Sequence, residues 1–476
     1  MTPPDGLDAA QYRMTPDEFR RRAHEAVEWV AGYMDRVEEF PVLSQVAPGE
    51  VRSLMADRAP AEPEGWDDIL GDLDRVVLPG ITHWQSPTFY GYFNSNTSGP
   101  AIIGELVVAG LGVQGMLWST SPDCTEVETQ VLDWLVDLMC LPDRFRSDGP
   151  GGGVIQDGAS GATLCALLAA RERAGGRSAG DGLVAYTSTE AHSSVLKGAR
   201  VIGLRDDQLR LIAVDPTTRA MRADALEAAM AEDAGAGRTP FFVCATVGTT
   251  STHALDPVAA IADVCEPHGV WLHVDGAHAG SAAVVPELRF VNDGLERADS
   301  YCFDPHKWLF TGMECDVFYV ADRAPLLAAL SVLPEYLRNA ASESGEVIDY
   351  RDWHLALGRR FRSLKLWFVL RHYGATGLAA TVGAHVAWAQ ELVGWIEADP
   401  RFSLAAPAPL NLVCFAHVDG DDATQRILDG CNRSGRLFLT HTRIADRLVL
   451  RLSIGQTATE RRHVEAAWAE IGAQAG

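Results

Sequence analysis

Apolar residues recur at helical spacing close to the start of the chain. Over residues 16–40 they fall at Phe19, Ala23, Ala26, Val27, Val30, Met34 and Val37, steps that line one face and predict a helix. A Pro-rich stretch at 58–66 breaks the pattern, and a second helix is predicted at about 67–77. Such a helical pair cannot bury its apolar faces alone, so it must pack on the main body or on a second subunit. From about residue 153 the period changes. Short apolar runs (VIQDG, LVAYTS, LIAV, PFFVCATVG, VWLHVDG) alternate with helical stretches (ATLCALLAARERA, SSVLKGARV, DPVAAIADVCEP). Strands that are apolar on both sides of the pleat need cover on both faces, which predicts an α/β domain around a mostly parallel sheet. Residues 351–372 (RDWHLALGRRFRSLKLWFVLRH) read as one long helix. After about 376 the order helix, strand (LNLVCFAH), helix, strand (RLVLRLSI), helix predicts a smaller α+β unit. The expected division is a helical arm over 1–90, a large α/β domain over 91–375 and a C-terminal domain over 376–476.

Composition fits this division. A chain of 476 residues, 47% hydrophobic, can bury a large core in more than one domain. Forty basic against 64 acidic side chains give a formal charge of -24, which opposes binding to nucleic acid or to an anionic membrane and favours small-molecule chemistry. The nine cysteines are scattered and form no CxxC pair, so neither a disulfide framework nor a zinc knuckle is indicated. The N-terminal stretch is polar and acidic, and no 18-residue stretch is free of charges or glycine breaks. The expectation is a cytoplasmic protein with reduced thiols.

Candidate chemistry collects at predicted strand ends, where open α/β sheets bind ligands. Asp275 ends the strand in VWLHVDGAHAG, and Lys307 follows about thirty residues later in SYCFDPHKWLF. A strand-end carboxylate with such a lysine suits pyridoxal phosphate. A lysine amine holds that cofactor as a Schiff base, and a nearby carboxylate keeps its ring nitrogen protonated. Asp157-Gly158-Ala159-Ser160-Gly161 opens a helix directly after a strand, so its backbone N–H groups and the helix dipole can hold a phosphate. The turn is neither a Walker A loop nor GxGxxG, and alone it reads equally as an ordinary tight turn. His192 follows the next strand, as a helix cap or as an imidazole that stacks on a cofactor ring. Thr246 ends another strand. His273, Asp275 and His278 have the look of a metal cluster, but no second cluster supplies the remaining ligand. Lys307 beside Trp308 could simply snorkel from an apolar strand; the series of phosphate turn, His, Asp and Lys argues against that.

The motifs EFRRRAHEAVEWVAGYM, THWQSPTFYGYF, SPDCTEVETQVLDWL, GGGVIQDGASGATLCALLAAR, HVDGAHAGS, DPHKWL and GRRFRSLKLWF together span nearly the whole chain. In them the sequence resembles the group II pyridoxal-phosphate decarboxylases, most closely the aromatic-L-amino-acid decarboxylases. The resemblance implies a fold type I, aspartate aminotransferase-like architecture and a homodimer whose N-terminal helical segments interlock. It implies that Lys307 carries pyridoxal 5'-phosphate, Asp275 pairs with the pyridinium, His192 stacks on the ring and Ala277 lies against its other face. Ala159, Ser160 and His306 match phosphate-binding positions, and Thr246 matches a hydroxyl close to the cofactor. Trp84, Tyr92, Phe93 and Ser95 match the lining of the aromatic pocket. Tyr336, in LPEYLRN, matches the catalytic-loop phenol that protonates the carbanion carbon after carbon dioxide leaves; the aldehyde-forming relatives carry phenylalanine there. The implied reaction is decarboxylation of an aromatic L-amino acid to the arylalkylamine.

The departures concern substrate and phosphate. Gly158 replaces a serine, and Asp304 stands where animal relatives have a phosphate-contacting asparagine. An acid near a phosphate is unfavourable unless turned away or paired, so Asp304 is not assigned to the cofactor. Gln114 and Met116 replace an aliphatic and an aromatic residue in a loop expected to complete the partner's pocket. Gly358 resembles the small residue that accompanies indole acceptance in plant relatives, which favours tryptophan over Dopa, tyrosine or phenylalanine. Arg359, Arg360, Arg362 and Lys365 are expected to be ion-paired structure on an amphipathic helix. Arg451 matches a family arginine near the active centre, with no role assigned. Two alternatives stand beside this reading. The same scaffold could serve an oxidative aldehyde synthase or a decarboxylase of acidic or diamino substrates, or the chain could be a non-enzymatic protein that keeps the fold.

Overall fold

The computed structural model describes residues 12–176, 182–332 and 347–476. Seven strands form the main sheet: β1 (Gly152–Gln156), β2 (Leu183–Ser188), β3 (Leu209–Ile212), β4 (Thr239–Thr246), β5 (Trp271–Asp275), β6 (Ser300–Phe303) and β7 (Asp316–Val320). Their spatial order is β1-β7-β6-β5-β4-β2-β3. Four neighbouring pairs are parallel, and only β7 runs against both of its neighbours, β1 and β6. The reversal makes the segment from β6 to β7, which carries Lys307, a tight return rather than a long crossover.

The apolar strands are buried on both faces because alternate residues feed two cores. Val243 and Ala245 of β4, with Leu272 and Val274 of β5, point into one hydrophobic cluster. Phe242 and Cys244, with Trp271, point into the other. The Ala159–Arg173 helix packs on the second face through Ala162, Cys165, Ala166 and Ala169. A second sheet, in the order β10-β11-β9-β8, joins β8 (Phe402–Leu404), β9 (Leu412–His417), β10 (Thr440–Ile444) and β11 (Arg447–Ser453), all antiparallel. Its core sets Phe415, Leu450 and Leu452 against Ile427, Val464 and Ile471 of the two flanking helices.

The long helix predicted over 351–372 is corrected. Residues Tyr350–Trp353 form a 3-10 turn, and the α-helix begins only at Arg362 and runs to Ala398, interrupted at Gly374 (φ 59°). Side chains and loop contacts hold the intervening stretch. Arg359 is buried; its backbone N–H donates to Gln114 Oε1 at 2.7 Å, and its guanidinium pairs with Glu128 at 2.7 Å and donates to the Ile155 carbonyl. The other three cations of that segment are ion-paired as well: Arg360 and Lys365 with Glu105, Arg362 with Glu314.

The first predicted helix spans Pro16–Arg36, capped by Thr15 Oγ1, which accepts from the Glu18 N–H. None of its residues is buried. Its apolar face meets the Gly99–Leu111 helix across an open groove of about 470 Å³ lined by Phe19, Ala23, Val30, Met34, Ile102 and Leu106. All nine cysteines are free thiols, and Cys140 alone is exposed. Among the described residues, no helix is long and apolar enough to cross a membrane and no group of three His, Cys, Asp or Glu is placed to hold a metal ion.

Candidate functional site

Strand register brings the first two site residues together. β4 and β5 are parallel neighbours in which Thr246 pairs with Asp275, so both lie at the carboxyl edge of the sheet. Asp275 is buried, and its Oδ1 accepts from the Ala277 N–H at 3.0 Å. Burial pushes this carboxyl up; the charges of Lys307 and His192 oppose that. Thr246 donates its N–H to Asp256, while its own buried hydroxyl has no hydrogen-bond partner among the described residues.

Lys307 sits in a single helical turn, Pro305–Trp308, rather than on a strand tail. Its Nζ lies 2.6 Å from Asp304 Oδ2. Burial works against the ammonium, but Asp304 first, then Asp275 and Asp316, overcome it and hold the amine above its ordinary range. His192 caps the Ser193–Val201 helix, with Nδ1 accepting from the Ser194 N–H at 3.2 Å, and lies close enough to Asp275 to act on its charge.

The glycine-rich turn leads into the Ala159–Arg173 helix, which carries Ala159 and Ser160 in its first turn. The Ala159 N–H is not free. It donates at 3.2 Å to Asp304 Oδ1, so the acid left unassigned by the sequence lies against this helix start and bridges it to Lys307. His306 is buried beside it, with Nδ1 at 2.8 Å from the Cys315 carbonyl.

The aromatic positions separate into two groups. Phe93 stacks on His278 with ring centroids 3.9 Å apart, and His278 stacks in turn on Trp308, next to Lys307 in the chain. The Arg451 guanidinium lies 5.5 Å from the centre of the Phe93 ring while donating to the Ser251 and Thr250 carbonyls and to Thr440 Oγ1, so it holds the loop after β4 in place. Trp84 and Tyr92 stack on each other instead, beside Phe89 and Phe438. Tyr92 is 53% exposed. The Ser95 carbonyl accepts from Gln85. Gln114 and Gly358 are brought together, since a Cβ on Gly358 would lie 3.3 Å from Gln114 Nε2. The Met116 carbonyl accepts from the Arg351 N–H of the same region. Tyr336 lies outside the described residues.

Two residues escaped sequence reasoning. Buried Asn96 donates to the carbonyls of Lys307 and Gly455, fastening the aromatic segment to the lysine turn. The alternation of buried Asn94, Asn96 and Ser98 in a polar run was its signal. Asp316, at the start of β7, is fully buried with its carboxylate against that of Asp304, and no other hydrogen-bond partner reaches its oxygens among the described residues. Burial and the neighbouring Asp304 push its carboxyl well above the usual range.

Together these residues fit the implied cofactor: an unpartnered hydroxyl, a buried carboxylate for a ring nitrogen, a helix start for a phosphate and an amine within one cluster. The comparisons agree. Residues 48–418 match the pyridoxal-dependent decarboxylase conserved domain. The chain is 44% identical to phenylacetaldehyde synthase of Arabidopsis thaliana, over 97% of this chain and 96% of that one. It is 42% identical to tyrosine decarboxylase 2 of Narcissus pseudonarcissus, over 96% and 93%. The crystal structure of Oryza sativa TDC with PLP and tryptamine superposes with a TM-score of 0.95 at 38% identity, covering 97% of this chain and 98% of that one. The chain therefore belongs to the pyridoxal-dependent decarboxylases, in the branch of the aromatic amino acid enzymes.

Proposed function

We propose that this enzyme decarboxylates an aromatic L-amino acid, tryptophan preferred, to the arylalkylamine and carbon dioxide, and that it acts as a cytoplasmic homodimer. The observation that carries the reading is the cluster of Lys307, Asp275 and Thr246 at the edge of the sheet, walled by the stacked rings of Phe93, His278 and Trp308. When bound, pyridoxal phosphate supplies the electron sink for the pair left by departing carbon dioxide. Lys307 would hold it through its side-chain amine. Asp275 keeps the ring nitrogen protonated, His192 and Ala277 enclose the ring, and Ala159, Ser160 and His306 hold the phosphate. Thr246 offers its free hydroxyl to the cofactor. Phe93 and Ser95 line the substrate's aromatic side with Trp84 and Tyr92, and Gln114, Met116 and Gly358 complete the pocket of the second subunit. The small Gly358 against Gln114 supports indole acceptance. The exposed apolar face of the Pro16–Arg36 helix supports the dimer, and the free, mostly buried thiols support a reducing compartment.

Tyr336 is assigned the proton delivery to the carbanion carbon, which separates amine formation from oxidation. The relative named phenylacetaldehyde synthase favours a second reading, oxidative formation of an aldehyde on the same scaffold. One experiment decides between them. The purified enzyme is incubated with tryptophan, Dopa, tyrosine, phenylalanine, glutamate and diaminobutyrate, and amine, aldehyde, ammonia and peroxide are assayed. Tryptamine without peroxide is expected. Aldehyde with stoichiometric peroxide would replace the first reading by the second, and turnover of glutamate or diaminobutyrate alone would remove both. Tyr336→Phe should divert product from amine to aldehyde; an unchanged amine yield would refute its role.

A further inference from the structure

Phe93 is only partly buried, so its ring keeps surface open to a ligand, yet its plane is set by its neighbours. It lies parallel to the His278 ring, with centroids 3.9 Å apart and planes 5° from one another, and His278 lies parallel to Trp308 at 4.9 Å and 3°. Three parallel rings thus lead from the aromatic wall to the residue after Lys307. The middle ring cannot turn within the stack. Its Nε2 lies 3.1 Å from Asn411 Oδ1, and because the Asn411 amide nitrogen donates to the Ile454 carbonyl at 2.8 Å, that oxygen is left to accept and Nε2 carries the hydrogen. The next carbonyl along, that of Gly455, accepts from Asn96 at 2.7 Å, and Asn96 donates to the Lys307 carbonyl as well. His278 and Lys307 are therefore held to two consecutive carbonyls of one segment. His253, buried too, leans against both Phe93 and His278, at 5.3 and 5.2 Å.

We propose that His278 is a positioning residue that fixes the plane of the Phe93 ring relative to Lys307, and that this stack sets how strongly the site prefers an aromatic side chain over an aliphatic one of similar bulk. A phenyl ring turns about a soft, broad torsion, and ordering it when a ligand arrives costs affinity. A ring held beforehand avoids that cost. Aromatic pairs depend on the angle and offset between rings, whereas an aliphatic group gains chiefly from the area it buries, so fixing the plane of Phe93 favours the aromatic ligand selectively. His278 acts through Phe93 in this role. Burial keeps its imidazole neutral, so the stack contains no charge that would need a partner.

This rests on Phe93 as a pocket wall and on Lys307 as the cofactor-bearing amine, and each has its own control. Lys307→Ala should lose the Schiff-base absorbance, and Phe93→Leu should itself lower the aromatic preference. The test of His278 uses the full-length enzyme loaded with pyridoxal phosphate and two ligands without a free carboxylate, tryptophan methyl ester and leucine methyl ester. Their dissociation constants are read from the change in cofactor absorbance, and KM and kcat for tryptophan are measured beside them. His278→Ala should weaken the tryptophan ester about three- to tenfold and the leucine ester less than about twofold, and should raise KM with kcat kept within about threefold. His278→Leu, which fills the space without a flat ring, gives the same test should the alanine variant not fold. His278→Phe keeps the stack and should restore the parent's ratio of the two dissociation constants. An unchanged ratio in the alanine and leucine variants, equal weakening of both esters, or a fall in kcat at constant KM would overturn the positioning of Phe93. A folded His278→Phe that failed to restore the ratio would overturn the stack as its cause. An unchanged ratio in Phe93→Leu would instead remove the pocket reading, and the inference with it.

Discussion

Near Lys307 the Thr246 hydroxyl and, beside Phe93 and His278, both ring nitrogens of His253 are buried without hydrogen-bond partners among the described residues. On the N-terminal helix the opposite holds: Phe19, Val27 and Met34 lie in the open, about half exposed, facing Ile103 and Leu106 across the groove. Native proteins rarely leave either kind of group uncompensated. The difference shows how an unfinished surface names what completes it. Buried polar orphans match a small charged molecule, whereas an open apolar face matches another apolar face.

The strongest way to break this contrast is to remove the cleft's amine. Lys307→Ala should abolish the Schiff-base absorbance and lower activity by about 10³-fold or more, while sedimentation still reports the parent's oligomeric state. Acid should act on the body before the helix. His253, His273, His354 and His385 are each pushed by burial down to about 3, so they stay neutral when folded. Their unfolded forms take up protons below about pH 6.5, so stability is fully present above that value and is lost as pH falls towards 3. Between pH 6.5 and 5 each of the deeply buried ones costs up to about 2 kcal/mol. Asp256, pushed up to about 6 by burial, opposes this, because its stabilising effect grows as pH falls below 6. A denaturant midpoint that did not fall over this range would contradict the four neutral imidazoles.

Glu128→Ala leaves Arg359 buried without its carboxylate and should cost about 3–5 kcal/mol in chemical denaturation. It sharpens the comparison by loosening the contact that Arg359 makes between the Gln114 and Gly358 segments. The mildest change concerns the helix. Val27→Asp should leave the circular dichroism of the chain intact but raise the dissociation constant of the proposed dimer about 30-fold in sedimentation equilibrium, since a charge would be buried if the open face meets a second copy. An unchanged constant would mean that the open face serves something other than a second copy.

Much of this layout was legible in the sequence. The strand runs alternate between two cores, so VWLHVD could only be a central strand, and Asp275 followed from its end. The helix of Pro16–Arg36 was visible because its apolar steps repeat over five turns. β8 and β10 were not. The first has three residues, and THTRI of β10 alternates towards solvent at the sheet edge, so neither carries an apolar run. The helix predicted across 351–372 failed because tertiary bonds of Arg359 outweigh local propensity. In the cleft, Asp275 could be named from its strand end and Lys307 from the DPHKWL run that follows the next strand, although it lies in a helical turn, whereas Asp316 could not. A single aspartate opening an apolar strand reads as a turn residue, and only the reversed β7 brings it behind Asp304.

The cysteines carry a practical consequence. Eight of them are sealed inside, with burial holding Cys165, Cys265, Cys315, Cys414 and Cys431 at about 12, so almost none of these sulfurs is in the reactive thiolate form at neutral pH. Cys140 alone stands outside, at the end of the Pro122–Met139 helix in a left-handed turn of φ 55°. A maleimide dye added to the folded enzyme therefore has one address per chain, and labelling beyond that first equivalent becomes a clock for the opening of the core.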